Sequence, residues 1–191
     1  MAKYRRAPIR VLETDRLRLR PVQLSDAPRI QVIFPHPEVV RYLATAIAWP
    51  YPEDGAETFL RALLPKIEAS EEYAWAIEIR GEEREGMIGL IALTPGSDLD
   101  HRGFWLAEPY WGKGYMREAA SAVNDFAFDS LGMKELLLGN AAPNAASHRL
   151  KESAGAVIVG IEDEEFIGGV FPSVRWRLTG DAWRHHRAVK R

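Results

Sequence analysis

Hydrophobic and polar positions alternate along the chain with a period that changes several times, and each change marks an element. Residues 11–21 set Leu12, Leu17 and Leu19 against Arg16, Arg18 and Arg20, the period-two pattern of a half-buried strand. Ser25 then stands where a cap is needed for a short helix over residues 26–34, stopped by Pro35 and Pro37. Over residues 53–69, Phe59, Leu60, Leu63, Leu64 and Ile67 recur at helical spacing, with Pro65 placed to kink the last turn. Two apolar runs, residues 73–79 and 86–93, flank the polar stretch 81–85 as a hairpin would. A further apolar run at 103–107 precedes a segment in which Met116, Ala119, Ala120, Val123, Ala127 and Leu131 line one helical face. Arg117, Glu118, Ser121, Asp125 and Asp129 line the other. Short strands are predicted at 134–140, 157–165 and 174–178, with no repeat and no low-complexity linker. The sum is one α/β (α+β) domain spanning residues 1–191, a central mixed, mostly antiparallel sheet of six to seven strands flanked by helices.

Composition narrows the class. With 191 residues, 47% of them hydrophobic, the chain can bury a core of its own. A formal charge of −2 gives the body no reason to bind nucleic acid. The absence of cysteine excludes disulfides and thiolate chemistry and fits a reducing compartment. The basic N-terminus lacks the roughly 7–15-residue apolar stretch of a secretory signal. No run reaches the about 18 apolar residues of a membrane span. The expected setting is cytoplasmic, with no membrane partner and no metal. The basic ends (Lys3, Arg5, Arg6 and Arg10; Arg184, His185, His186, Arg187, Lys190 and Arg191) are expected to be frayed, solvated tails.

The chemistry concentrates at Glu108–Ala119, where a strand gives way to a helix across Gly112-Lys113-Gly114. Glycines there let the backbone approach an anion, and the uncommitted N–H groups at the helix start favour phosphate. Two phosphate motifs are excluded. A P-loop needs Ser or Thr after its lysine, but Lys113 is followed by Gly114. A dinucleotide fingerprint needs a third glycine where Arg117 stands, and it belongs near the start of a βαβ unit.

The order of segments from this turn onward resembles the Gcn5-related N-acetyltransferase (GNAT) superfamily, and most closely its ribosomal-protein N-acetyltransferase branch. That pattern has a strand, a glycine turn, a helix, a second strand, and then N-x-x-S opening a short helix. In this sequence the turn falls on Trp111–Met116, the N-x-x-S on Asn144 and Ser147, and the closing glycine pair on Gly155-Ala156. Residues 13–26 look like the family's first strand and helix cap, and 175–183 like its last strand. The sequence departs from the pattern at Trp111, Met116 and Ala156. Lys151 stands where many relatives carry a tyrosine that reprotonates the leaving thiol.

The resemblance implies acetyl-CoA as co-substrate and direct transfer of its acetyl group to a primary amine. By that likeness Gly112, Lys113, Gly114, Tyr115 and Met116 hold the pyrophosphate, each charge gaining about 0.3–1 kcal/mol at such a helix end. Phe104, Leu106 and Ala107 offer backbone hydrogen bonds to the pantetheine arm, and an N–H near Leu106 or Ala107 polarises the thioester carbonyl. Asn144 bonds the arm from the other side or simply caps the helix after Pro143. Ser147 is the expected acid. For the base, His101 and the acidic run ending at Glu165 are rivals. The stiff aromatic loop with Trp49 and Tyr51 is expected to line the acceptor pocket. The favoured acceptor is a protein N-terminal α-amine, ribosomal proteins included. A small-molecule amine (polyamine, amino acid or antibiotic) and an acyl-CoA sensor without turnover stay open, and the likeness admits a homodimer.

Overall fold

A computed structural model of the chain describes residues 4–189. Its strands form two antiparallel sheets rather than the single sheet expected. The first has the order β1 (Leu12–Glu13), β2 (Leu17–Pro21), β3 (Tyr73–Ile79), β4 (Gly89–Leu93) and β5 (Arg102–Leu106). The second runs β6 (Glu135–Ala141), β8 (Gly169–Thr179), β7 (Val157–Phe166), so eight strands are present among the described residues. β3 is central to the first sheet and buried on both faces. Its alternation puts Tyr73, Trp75 and Ile77 on one side and Ala74 and Ala76 on the other. The bulky side packs on Val123 of α4 (Tyr115–Asp125) and on Phe126, which starts the π-helical turn after it, together with Leu136, Leu138 and Trp176 of the second sheet. The alanine side admits α1 (Ala27–Ile33) and α3 (Gly55–Glu68) through Ile30, Leu60 and Leu63. Three more α-helices are present among the described residues: α2 (Pro37–Val40), α5 (Ala145–Glu152) and α6 (Gly180–Val189).

Several expectations are corrected by this packing. Ser25 does not cap α1; it donates to the Gln23 side chain at 3.4 Å, while the Asp26 carboxylate accepts from the Gln23 N–H at 2.8 Å and closes the turn. The buried stripe of α3 is Ala56, Leu60, Leu63 and Ile67, and Phe59 lies outside it, 41% exposed. The basic ends are not frayed where they are described. Arg5 donates its N–H to the Leu131 carbonyl at 2.7 Å, and Arg10 bonds Ser130 at 3.0 Å. Residues 184–189 continue α6, which buries Trp183 and pairs Arg187 with Asp125. Lys3, Lys190 and Arg191 lie outside the described residues. Among the described residues no helix is long and apolar enough to cross a membrane.

Candidate active site

Backbone hydrogen bonding joins the two sheets at the foot of β5, and the way they meet opens a gap above. His101 donates its N–H to the Leu137 carbonyl of β6 at 2.8 Å. One residue earlier, the Asp100 carboxylate is wedged between the strands. One of its oxygens accepts the Arg102 N–H at 3.0 Å and the other the Gly139 N–H at 3.0 Å. A carboxylate thus occupies the place of direct backbone pairing, and β5 and β6 diverge from that point. Higher on β5 the Ala107 N–H is spent on the Ile88 carbonyl at 2.9 Å. Hydrogen-bonding direction alternates along an antiparallel strand, so the N–H and C=O groups of Phe104 and Leu106 point away from β4 and into the gap. The Leu106 carbonyl there accepts the Trp111 indole N–H at 2.7 Å.

Beyond β5, Gly112 (φ 72°) and Gly114 (φ 80°) both take the left-handed conformation, which a side chain would penalise. No side chain caps the start of α4, so the N–H groups of its first turn face outward from Gly114. Arg16 braces this turn: its guanidinium donates to the Lys113 carbonyl at 3.0 Å, pairs with Glu118 at 2.7 Å and lies over the Tyr115 ring at 4.8 Å. Burial acts to raise the Glu118 pKa, but hydrogen bonds from Thr14 and Arg16 outweigh it and hold the carboxyl below its ordinary value. Nothing in the hydrophobic pattern marks Arg16, because its partner is about a hundred residues away in sequence and adjacent only in the fold.

α5 forms the opposite wall. The Asn144 side chain accepts the Ser147 N–H at 3.0 Å, so Asn144 is the helix cap, and that cap sets the helical phase. The phase turns Ser147, Leu150 and Lys151 inward. A groove of about 820 Å³ is lined jointly by Phe104, Leu106, the turn from Gly112 to Met116, Asn144 and Ser147. Phe104 and Ser147, 43 positions apart in sequence, thereby share one cleft. Arg41 and Tyr42, just past α2, close one end, and Lys113, Arg117 and Arg149 add positive charge.

Other expected residues do not reach it. His101 is buried at the strand junction, where its Nδ1 accepts the Leu137 N–H at 2.8 Å. A neutral imidazole in that state carries its proton on Nε2 and has no lone pair left to accept another, so His101 is not poised as a base. Glu165 is exposed near the tip of the β7–β8 hairpin, and the hairpin tip touches the segment after α2 through Ile167 and Gly168. Tyr51 packs edge-on against Phe34 at 5.0 Å and lies over Gly55, serving the α1–α3 core; burial raises its pKa. Trp49 is 41% exposed on the same loop.

Two buried groups lie beneath the groove: Arg102, which was not foreseen, and Lys151, which the sequence marked only as standing in place of the family's tyrosine. Arg102 is buried at 3% exposure and donates to Asn124 of α4 at 2.5 Å; its remaining Nε and Nη2 have no partner among the described residues. Burial lowers its pKa to about 10, against the pull of Asp100. Lys151 is 2% exposed and donates to Ser147 Oγ at 2.7 Å. Burial lowers its pKa to about 7, opposed by Asp100 and reinforced by Arg102. Asp100 is itself raised by burial, although the Arg102 and Gly139 N–H groups and both cations favour its charged form. The apolar positions Leu150 and Ala154 around Lys151 carried the signal that this lysine lies in a buried stripe.

Residues 16–157, most of the chain and the whole lining of this groove, match the family model of the acetyltransferase (GNAT) domain. The chain belongs to the GNAT family. This GNAT acetyltransferase is 29% identical over 141 residues to the uncharacterized N-acetyltransferase YoaA of Bacillus subtilis, covering 73% of this chain and 78% of the relative. It superposes on Mycobacterium smegmatis RimJ in complex with CoA-disulfide with a TM-score of 0.76, at 18% identity over 97% of this chain and 94% of the other. It also superposes on Vibrio cholerae spermidine N-acetyltransferase in complex with CoA and spermine (TM-score 0.73, 21% identity, 90% and 99% covered). At those identities the two structures bear on the fold alone. Membership makes the GNAT protein an acyltransferase enzyme and leaves its acceptor to chemistry.

Proposed function

We propose that this acetyltransferase moves an acetyl group from acetyl-CoA to the α-amine of a protein N-terminus. The observation that carries the donor half is the single groove shared by the outward N–H and C=O groups of β5, the glycine turn and Ser147. Acetyl-CoA supplies the activated thioester. The first-turn N–H groups of α4, with Lys113 and Arg117 beside them, hold its phosphates. Phe104 and Leu106 bond the arm as an added strand would, and the Leu106 N–H, rather than the committed Ala107 N–H, polarises the carbonyl. The Asn144 amide faces the arm from α5, and Ser147 faces the sulfur. An acyl-CoA sensor shares the binding half, so turnover separates it from an enzyme. The Vibrio cholerae enzyme just described takes a polyamine by name, which keeps a small-molecule amine as the alternative acceptor.

The acceptor reading rests on the base. His101 has its lone pair engaged, and Glu165 stands on an exposed strand. An acceptor that needs little help is therefore favoured. An α-amine with a pKa of about 7.7–8.0 is about a quarter neutral near pH 7.4, whereas a lysine near 10.4 is about a thousandth neutral. The test is calorimetry with acetyl-CoA against ATP, followed by thiol release with three acceptors: a peptide with a free α-amine, an Nα-blocked lysine peptide and spermidine. Fastest release with the free α-amine supports the reading. Faster release with spermidine moves it to small-molecule amines, and binding without any release leaves a sensor.

A further inference from the structure

We infer that Lys151 supplies, through Ser147, the proton taken up by the departing CoA sulfur. The inference rests on the acetyl-transfer reading above and adds the source of that proton. Ser147 Oγ lines the groove, and immediately behind it, out of contact with the groove, Lys151 Nζ donates to that oxygen at 2.7 Å. A serine hydroxyl alone is too weak an acid to give up a proton and stay charged. An ammonium group that replaces the proton as it leaves removes that difficulty.

The charges around Lys151 are arranged so that it can release and regain a proton. The charged groups facing it are Asp100, from the loop before β5, and Arg102, from β5 itself. Its other neighbour from β5 is the Phe104 ring, 5.6 Å from Nζ. The nearby His101 is neutral at its Nδ1 hydrogen bond, and Arg175 of β8 is paired with Glu164 at 3.1 Å. Two buried cations thus share one carboxylate. A guanidinium does not give up its proton in this range, so Lys151 is the member that yields, and burial brings its pKa to about 7. Ordinary amine chemistry closes the cycle. The C–N bond forms and the C–S bond breaks; Ser147 Oγ passes its proton to sulfur and takes one from Lys151 Nζ. The amine's surplus proton goes to solvent, and neutral Lys151 recovers one from water. Lys151 touches no substrate in this scheme; it is a positioning residue that acts through Ser147.

Three readouts on the full chain test this. Lysine-labelled carbon NMR, with Lys151→Met to assign the signal, should show Lys151 titrating near neutral pH. Thiolate absorbance should give bound CoA the same thiol pKa in Lys151→Met as in the parent, because Lys151 is already neutral where a thiol ionises, at about 8.5. With the free α-amine peptide, parent kcat should fall above neutral pH as Lys151 loses its proton. Each single variant should lower kcat about a hundredfold and lose that limb; thiolates leave readily, so the gain from an acid is at the low end of its range. The double variant should be no slower than either single one, and Lys151→Arg, a cation without an available proton, should not restore the limb. A Lys151 titration above pH 10, a raised thiol pKa in Lys151→Met, or additive losses in the double variant would each overturn the relay. CoA that fails to bind the parent protein would instead sink the acetyl-transfer reading and the relay with it.

Discussion

The two halves of the groove are built from opposite materials. The phosphate turn is made of backbone: two glycines with positive φ, a helix start and partly exposed cations around it. The foot of the gap is made of buried side chains: Asp100 wedged between strands, Arg102 and Lys151 sharing it, and Ser147 above. The turn binds through partial charges already present in any helix end, so it adds little strain to the fold. The foot holds two cations and one carboxylate out of water, so each cation carries a desolvation cost and loss of the carboxylate leaves both uncompensated. The difference predicts that perturbing the turn changes affinity, and perturbing the foot changes stability and proton chemistry.

The largest test of that contrast is Asp100→Ala. Without the wedge, Arg102 loses its counter-charge and the β5–β6 junction loses its bridge. Stability to urea should fall by on the order of 3–5 kcal/mol. Lys151→Met should do the reverse. In the unfolded chain this lysine titrates near its ordinary 10.5 and in the folded one near about 7. The folded state therefore binds fewer protons between those values, and parent stability rises with pH across that window. Below pH 7 the penalty is complete. The methionine variant should be more stable than the parent by on the order of 2–4 kcal/mol at pH 6, with the gap closing toward pH 10, as urea melts at several pH values would show. A destabilised variant would mean that Lys151 is a structural tie.

At the turn, Gly112→Val combined with Gly114→Val should weaken acetyl-CoA binding about a hundredfold by calorimetry, since each residue must leave its left-handed conformation. The thermal midpoint should change little, because the turn lies outside the core. Glu118→Gln, which loosens the Arg16 brace, should cost affinity only a few-fold, about 1 kcal/mol, because that pair is partly exposed. Loss of stability from the glycine variants, or loss of affinity alone from Asp100→Ala, would erase the contrast.

How legible each part was follows from its construction. The turn, the helix behind it, the hairpin of β3 and β4, and the placement of Asn144 and Ser147 after β6 are local patterns, and residues near in sequence carry them. The start of α1 was less legible, since Ser25 has the composition of a cap and only the loop geometry turned its hydroxyl to Gln23 and closed the turn through Asp26. Phe59 misled because a wide apolar stripe contains its neighbours on both sides. His101 was chosen for its ordinary pKa, and its role was decided by an N–H donor from Leu137, 36 residues on.

The sequence by itself determined the class of fold, the glycine turn and the family's chemistry, because period, glycine and helix signals act over a few residues. Only the tertiary structure decided that β5 and β6 part around Asp100, that the Ala107 N–H is committed while Leu106 faces the gap, and that Lys151 lies buried behind Ser147. Each of these depends on which groups meet across the fold and on how far they are removed from water. Hydrogen-bond partners and desolvation, which set the charge state of a side chain, are not properties of the residue alone.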